Sequence, residues 1–220
     1  MTRVLVLRPE PGATATVERA RAMGLDVQSV PLFEIEPIEW KAPEVSGFDG
    51  LLLTSANAVR CGGEKLQELR GLKAYAVGET TAEAARDAGF DIAATGEAGV
   101  DRLLGSIDPE LKLLHPCGED RREPDGARQT ITPLVVYRAA EIAAPDIPAG
   151  QAVALIHSPR AGRRFAALVT DLSTTSIAAI SPAAAQAVGE GWEAVETCEE
   201  PSDEALLVLA ARLCNKPDPE

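Results

Sequence analysis

The segment Leu51-Leu52-Leu53-Thr54-Ser55-Ala56-Asn57-Ala58-Val59-Arg60 gives the first indication of the fold. Its three leucines form a short apolar run, which is typical of a strand buried on both faces in a parallel sheet. Ser55 is a suitable N-cap for a helix that begins at Ala56. A strand that turns directly into a helix leaves N–H groups at the carboxyl edge of the sheet, where they favour anions. Taken alone, this pattern indicates plain helix capping more readily than ligand binding.

A second copy of the pattern lies 103 residues further along the chain. Ser158 follows an apolar, strand-like run as Ser55 does, and Ser181 stands in the same way 103 residues after Gly78. The helices predicted after Gly78 and Ser181 are alike in composition, and each is followed by a glycine next to an aromatic residue. Any two α/β halves look somewhat alike, but several elements at nearly one offset favour duplication of a single α/β unit.

Strand-like and helix-like segments alternate along the whole chain, which predicts an α/β fold with parallel sheets. We expect two similar flavodoxin-like domains, joined by a two-stranded antiparallel ribbon, with helix starts facing a ligand between them. The first strand would complete the later copy, so one domain would be discontinuous. The predicted bounds are 1–37 with 139–220 for the discontinuous domain, 40–135 for the inserted domain, and 27–38 with 133–142 for the linker strands.

The composition argues against several classes of function. Hydrophobic residues make up 45% of the chain and charged residues 25%, which is ordinary for a folded globular protein. A net charge of −13 and only 4% aromatic residues argue against a nucleic-acid-binding surface. The four cysteines lie far apart, and the two histidines, His115 and His157, are too few and too separated for a metal site. Since no apolar run suits a membrane span or a signal peptide, we expect a cytoplasmic protein without a metal.

Several short segments, taken in order, resemble the uroporphyrinogen-III synthase family. They are Arg8-Pro9 after the first strand, Leu53 to Arg60, Val77 to Ala82, Val136-Tyr137-Arg138, His157-Ser158-Pro159 and Ile180-Ser181-Pro182. Each segment is short, so the resemblance rests on their order and spacing over nearly the full length. Members of the family have two α/β domains joined by a two-stranded ribbon, which agrees with the arrangement predicted above.

The resemblance implies that the chain closes hydroxymethylbilane to uroporphyrinogen III, with inversion of ring D and loss of water, in tetrapyrrole (haem) biosynthesis. No cofactor is needed. The substrate is a linear tetrapyrrole with acetate and propionate groups on every ring, so the protein must hold several carboxylates. We expect a monomeric hydro-lyase that binds neither nucleic acid nor membrane and contacts hydroxymethylbilane synthase only transiently.

The resemblance also implies roles for particular residues. The Tyr137 hydroxyl, which is neutral at pH 7, would donate a hydrogen bond to the leaving oxygen; the alternative role of Tyr137 is packing at the hinge. Main-chain N–H groups, hydroxyls and guanidinium groups at the helix starts would hold the carboxylates. The residues expected to do so are Arg8, Ser55, Ala56, Asn57, Gly78, Thr81, Gly118, Ser158, Arg160 and Ser181. Plain capping is the alternative role of the hydroxyl residues, and it is compatible with binding.

The chain departs from the family pattern in two places. Ala184 stands where a hydroxyl-bearing residue is usual, so its side chain cannot donate. The segment from Glu119 to Thr132 is shorter than usual, and we expect a loop there that carries Arg121 and Arg122. Both departures are compatible with weak activity.

Two other functions fit parts of the pattern. A non-catalytic two-domain binder of a small polycarboxylate would use the same helix starts, although no signal segment precedes them. A dinucleotide-dependent enzyme is disfavoured because the chain contains neither a G-x-G-x-x-G nor a Walker A motif.

Overall fold

The computed structural model describes residues 2–97, 99–121 and 123–215. The strands are β1 (Arg3–Val6), β2 (Val27–Ser29), β3 (Phe33–Pro37), β4 (Gly50–Leu53), β5 (Lys73–Val77), β6 (Ile92–Gly96), β7 (Lys112–Gly118), β8 (Thr130–Glu141), β9 (Ala152–Ile156), β10 (Thr175–Ala179) and β11 (Ala194–Thr197). The α-helices are α1 (Gly12–Ala22), α2 (Ala56–Cys61), α3 (Glu79–Asp87), α4 (Val100–Ser106), α5 (Pro159–Leu168), α6 (Pro182–Val188) and α7 (Asp203–Cys214). Short 3-10 helices span Val45–Gly47 and Glu64–Leu69.

The chain divides into two compact units. Unit 1 consists of Met1–Glu34 together with Glu141–Glu220, and unit 2 is the continuous stretch Ile35–Ala140. The strands β3 and β8 carry the chain from one unit to the other. None of the helices in the described part of the chain is long and apolar enough to cross a membrane.

Unit 1 is built on a five-stranded parallel sheet in the order β11-β10-β9-β1-β2. The strands β9 and β10 are buried along their whole length, which suits the apolar sequence of β9, while β10 also buries Thr175 and Ser176. Helices α1 and α7 cover one face through Val17, Ala20, Leu206 and Ala210. The helices α5 and α6 pack against each other and on β9 and β10.

Unit 2 repeats this strand order and adds one strand. Its sheet runs β3-β8-β7-β4-β5-β6, so β8, β7, β4, β5 and β6 occupy the places of β2, β1, β9, β10 and β11. The added strand β3 runs antiparallel to β8, since the N–H of Ile38 donates to the carbonyl of Val136 and the N–H of Ile142 donates to the carbonyl of Leu32. The predicted fold class, two similar parallel sheets with an antiparallel linker pair, is therefore confirmed.

The two units differ in the connection between corresponding strands. In unit 1 the helix α1 joins β1 to β2 and covers part of the sheet. In unit 2 the described residues between β7 and β8 contain no helix. Helix α4 packs on the unit 2 sheet through Leu103 and Leu104. An open space remains beside His115, near the end of β7.

Candidate active site

The serines predicted from the sequence, Ser55, Ser158 and Ser181, each cap a helix that follows a strand. The hydroxyl of Ser55 accepts the N–H two positions ahead at 3.2 Å. Those of Ser158 and Ser181 accept the N–H three positions ahead at 3.1 and 3.3 Å. Ala56 and Asn57 form the first turn after Ser55, with Ala56 buried and Asn57 half-buried. The structure thus shows the capping role of these serines, and carboxylate binding remains a prediction.

A cavity of about 310 Å³ opens at the carboxyl edge of the unit 2 sheet. We call it the Tyr137 cavity, and it is lined by Thr54, Ser55, Val77, Val100, Cys117, Gly118, Asp120, Arg121 and Tyr137. Its volume lies in the range of small-molecule sites. Three residues predicted from the sequence, Ser55, Gly118 and Tyr137, are therefore brought together.

The ring of Tyr137 lies directly against Gly118. A Cβ atom added at Gly118 would come within 2.8 Å of the ring, so only glycine leaves room for this contact. Burial raises the pKa of Tyr137, and a hydrogen bond with Ser55 offsets part of that rise. The phenol therefore stays neutral at physiological pH and keeps a proton to donate.

Behind the cavity wall, His115 pairs with Thr54. The imidazole Nε2 lies 3.0 Å from the Thr54 hydroxyl oxygen, and His115 is only 2% exposed. Burial, assisted by the charge of Arg121, lowers the pKa of His115 to about 4. The imidazole is therefore neutral at pH 7.

A second cavity of about 250 Å³ adjoins His115, next to the connection between β7 and β8. Gln129 lines it, and its amide nitrogen donates to the carbonyls of Leu104 and Asp108 at 2.9 and 3.1 Å. The Gln129 carbonyl oxygen is buried and has no hydrogen-bond partner among the described residues. Arg121 lines both cavities, whereas Arg122 lies outside the described residues.

The corresponding edge of unit 1 holds a cluster of charged side chains around Asp203. This carboxylate accepts hydrogen bonds from Thr16 at 2.9 Å, Arg19 at 2.6 Å and Arg8 at 3.3 Å, and it lies 2.8 Å from Nε2 of His157. Burial acts to raise the pKa of Asp203, but its hydrogen bonds to His157, Arg19 and Thr16 outweigh burial and hold that pKa well below its ordinary range. We call these five residues the Asp203 cluster.

The remaining predicted binding residues lie in different settings. Arg8 belongs to the Asp203 cluster and donates to a carboxylate of the protein itself. The guanidinium of Arg160 lies 4.5 Å from the centre of the Phe33 ring, a cation–π contact. Gly78 begins α3 with φ near +79°, and Thr81 in its first turn is only 5% exposed. Neither Gly78 nor Thr81 is among the residues that line the Tyr137 cavity.

Ala184, the departure noted in the sequence, is completely buried. A Cβ added at Gly162 in α5 would lie 3.1 Å from the carbonyl oxygen of Ala184, so α5 and α6 approach closely there. A small apolar side chain suits this contact. The main-chain N–H of Ala184 is engaged by the Ser181 cap.

No site role was predicted from the sequence for several residues of these edges, among them Thr54, His115, Cys117 and Asp203. The repeat offers one signal for Asp203. It is the first residue of α7 and stands 103 positions after Val100, the first residue of α4, so it occupies the equivalent helix start. No comparable signal marks the pairing of Thr54 with His115. Among the described residues, no cluster of three or more histidine, cysteine or acidic side chains is arranged to hold a metal ion.

Comparison with known proteins identifies a family and similar folds. The family model described as uroporphyrinogen-III synthase HemD matches residues 14–208. A crystal structure of uroporphyrinogen-III synthetase from Helicobacter pylori is similar with a TM-score of 0.70 and 19% identity, over 97% of this chain and 100% of that one. A mutant uroporphyrinogen III synthase from Thermus thermophilus gives 0.54 and 17%, over 98% and 100%. No curated protein sequence matches. The similar structures show the fold, and the match to the family model shows the family.

Proposed function

The chain belongs to the uroporphyrinogen-III synthase family of haem biosynthesis, and from this premise we propose how its own residues carry out the ring closure. The substrate is the linear tetrapyrrole hydroxymethylbilane, the product is uroporphyrinogen III, and water leaves without the help of a cofactor. The observation that carries the proposal is the position of Tyr137, which lines a cavity of about 310 Å³ beside Ser55, the cap of α2.

Tyr137 assists departure of the substrate's hydroxyl group. Ser55 accepts the N–H of Asn57, and its own hydroxyl hydrogen donates to the Tyr137 oxygen. The phenolic hydrogen is then free to donate to the leaving oxygen as the carbon–oxygen bond breaks and water forms. The carbon that loses water bonds to ring D, whose bridge to ring C breaks at one α-carbon and re-forms at the other, and the hydrogen displaced from ring D returns as a proton to the Tyr137 oxygen. Enclosure of the flexible chain in one conformation supplies much of the rate.

The carboxylates of the substrate are held by N–H groups rather than by a broad basic surface. The helix starts at Ser55, Ser158 and Ser181 offer main-chain donors at sheet edges, and each such site contributes roughly 0.3–1 kcal/mol through the helix dipole. Arg121 in the Tyr137 cavity and Arg160 at the start of α5 add charge-assisted bonds. Local donors of this kind suit an anionic ligand despite the net charge of −13.

We assign the protein a hydro-lyase activity and the cytoplasm as its place of action. We also propose that it works as a monomer. Its contact with hydroxymethylbilane synthase, the source of the substrate, is transient.

The isomer of the product tests the proposal. Purified protein mixed with hydroxymethylbilane should yield the type III isomer faster than spontaneous closure yields the type I isomer in a protein-free control. Product of type I alone, formed at the rate of the control, would overturn the proposal. Saturable binding of the tetrapyrrole without turnover would then favour the non-catalytic polycarboxylate binder.

A further inference from the structure

The paired side chains of Thr54 and His115 connect the wall of the Tyr137 cavity to the interior of unit 2. Thr54 lines the cavity, whereas His115 is almost fully buried behind it and lines the second cavity. The 3.0 Å separation between Nε2 and the hydroxyl oxygen is a hydrogen bond. His115 therefore touches a cavity-lining hydroxyl without itself lining that cavity.

The tautomer of His115 decides what Thr54 offers to a ligand. A neutral imidazole has one N–H donor and one acceptor nitrogen. With the proton on Nδ1, Nε2 would accept the hydroxyl hydrogen, and Thr54 would present only lone pairs to the cavity. With the proton on Nε2, His115 donates to the Thr54 oxygen, and the hydroxyl hydrogen is free to turn towards the cavity. Only the second arrangement suits a carboxylate, which accepts hydrogen bonds and has none to give.

We propose that His115 is a positioning residue that donates from Nε2 to Thr54 and thereby directs the threonine hydroxyl hydrogen at a carboxylate of the substrate. This inference rests on the proposed function and adds Thr54 to the groups that recognise the substrate. Burial and the positive charge of Arg121 both keep the imidazole neutral, so that it supplies one donor in a fixed direction. A threonine hydroxyl without this partner would rotate among several orientations.

The expected signature is a change in KM at nearly constant kcat, because the contact binds a remote carboxylate in the ground state and the transition state alike. Thr54→Val should raise KM about tenfold through loss of one hydrogen bond to a charged group. His115→Phe should raise KM by about fivefold to tenfold. His115→Gln should stay within about twofold of the wild type, because its amide nitrogen reaches the place of Nε2 and remains a donor.

The double variant Thr54→Val with His115→Phe distinguishes positioning from an independent effect. If His115 acts through Thr54, the double variant should have the KM of Thr54→Val alone, whereas independent effects would multiply. Phe90→Leu serves as the matched control, because Phe90 is buried in the unit 2 core and does not line either cavity. It should lower the thermal midpoint without raising KM. If His115→Phe does not fold, His115→Asn, which is smaller and does not reach Thr54, replaces it in the same comparison.

Three outcomes would overturn the inference. They are an unchanged KM in the Thr54 and His115 variants, a loss confined to kcat, and multiplied effects in the double variant. The wild-type assay separates this failure from failure of the proposed function. Wild-type protein that makes the type III isomer upholds the function whatever the variants do, whereas wild-type protein that makes only type I removes both.

Discussion

The carboxyl edges of the two sheets share one topology but differ in what fills them. In unit 1, Asp203 at the start of α7 draws Arg8, Arg19 and His157 into a charged cluster. In unit 2, the first residue of the corresponding helix is Val100, whose apolar side chain cannot accept a hydrogen bond, and the space beside it is the Tyr137 cavity. At this one position unit 1 therefore carries a carboxylate with its cationic partners, whereas unit 2 carries an apolar side chain that lines a cavity.

The largest expected effect comes from removing that carboxylate. Asp203→Ala leaves its cationic and hydroxyl partners without their shared acceptor, and the free energy of unfolding should fall by about 4 kcal/mol. Urea unfolding measures the change. Glu204→Gln is the matched control, because the neighbouring Glu204 is 71% exposed and lies 3.9 Å from Arg19, so its loss should stay within about 0.5 kcal/mol. Equal losses in the two variants would show that the cluster does not stabilise unit 1.

A second prediction concerns the pH dependence of the free energy of unfolding, to which the two edges contribute in different pH ranges. His115 has a folded-state pKa of about 4 and an unfolded value of about 6.5, so the unfolded chain binds more protons between these values. The stability it contributes is complete above pH 6.5 and is lost as the pH falls towards 4, by about 3 kcal/mol in total. The pKa of Asp203 is also lowered, so its contribution is lost only at pH values below the ordinary carboxyl range near 4.

Urea unfolding at a series of pH values tests this order. His115→Gln should flatten the profile between pH 6.5 and 4 and leave the loss at lower pH in place. A profile that keeps its full slope in His115→Gln would assign the upper transition to other groups.

A third effect is catalytic and belongs to the open edge. Tyr137→Phe should lower kcat about tenfold to a hundredfold, or about 1.4–2.7 kcal/mol of activation free energy, because the phenolic donor is lost while the ring remains. The stability of the protein should change little. Tyr75→Phe in β5 provides the control, because Tyr75 is the other tyrosine of the chain and does not line the Tyr137 cavity. If both variants keep the wild-type kcat, Tyr137 has a packing role alone.

The smallest effect concerns the fit of the Tyr137 ring. Gly118→Ala places a Cβ within 2.8 Å of that ring, so the ring must shift, and stability should fall by about 1–2 kcal/mol together with kcat. Gly105→Ala in α4 is the contrasting change. Nothing lies within 4 Å of its added Cβ, and it should stabilise the protein by about 0.4–1 kcal/mol. Thermal unfolding and the isomer assay, applied to both variants, check the pair.

Local features were predictable from the sequence, and long-range pairings were not. The run Leu51–Leu53 followed by Ser55 specified a buried strand and a capped helix, because hydrophobicity and capping act between near neighbours. The constant offset of 103 residues gave the repeated topology. The bond between Thr54 and His115 joins positions 61 apart, and that between Arg8 and Asp203 joins positions 195 apart. Such contacts depend on the order of the strands and on which side chains meet at a sheet edge. The residues next to them in the sequence do not indicate them.

Gly118 illustrates a prediction whose reason changed. The resemblance marked it for binding substrate, but its geometry shows a second use, since the missing side chain makes room for the Tyr137 ring. Arg8 differs from Gly118. The resemblance predicts that Arg8 binds a substrate carboxylate, and in the structure its guanidinium is paired with the carboxylate of Asp203.

The order in which the strands follow along the chain has a consequence for synthesis. Unit 2 is continuous, so its parallel strands β4 to β8 are all present once residue 141 has emerged. In unit 1, β1 pairs with β9, and Arg3 lies opposite Ala152, across the whole of unit 2. On its other side β1 pairs with β2, which follows closely in the sequence, so only the edge of β1 that faces β9 must wait for its partner, and pairing across so long a loop is slow. During that interval one edge of the apolar strand Arg3–Val6 has no partner, and an open strand edge of this kind favours aggregation until β9 has been made.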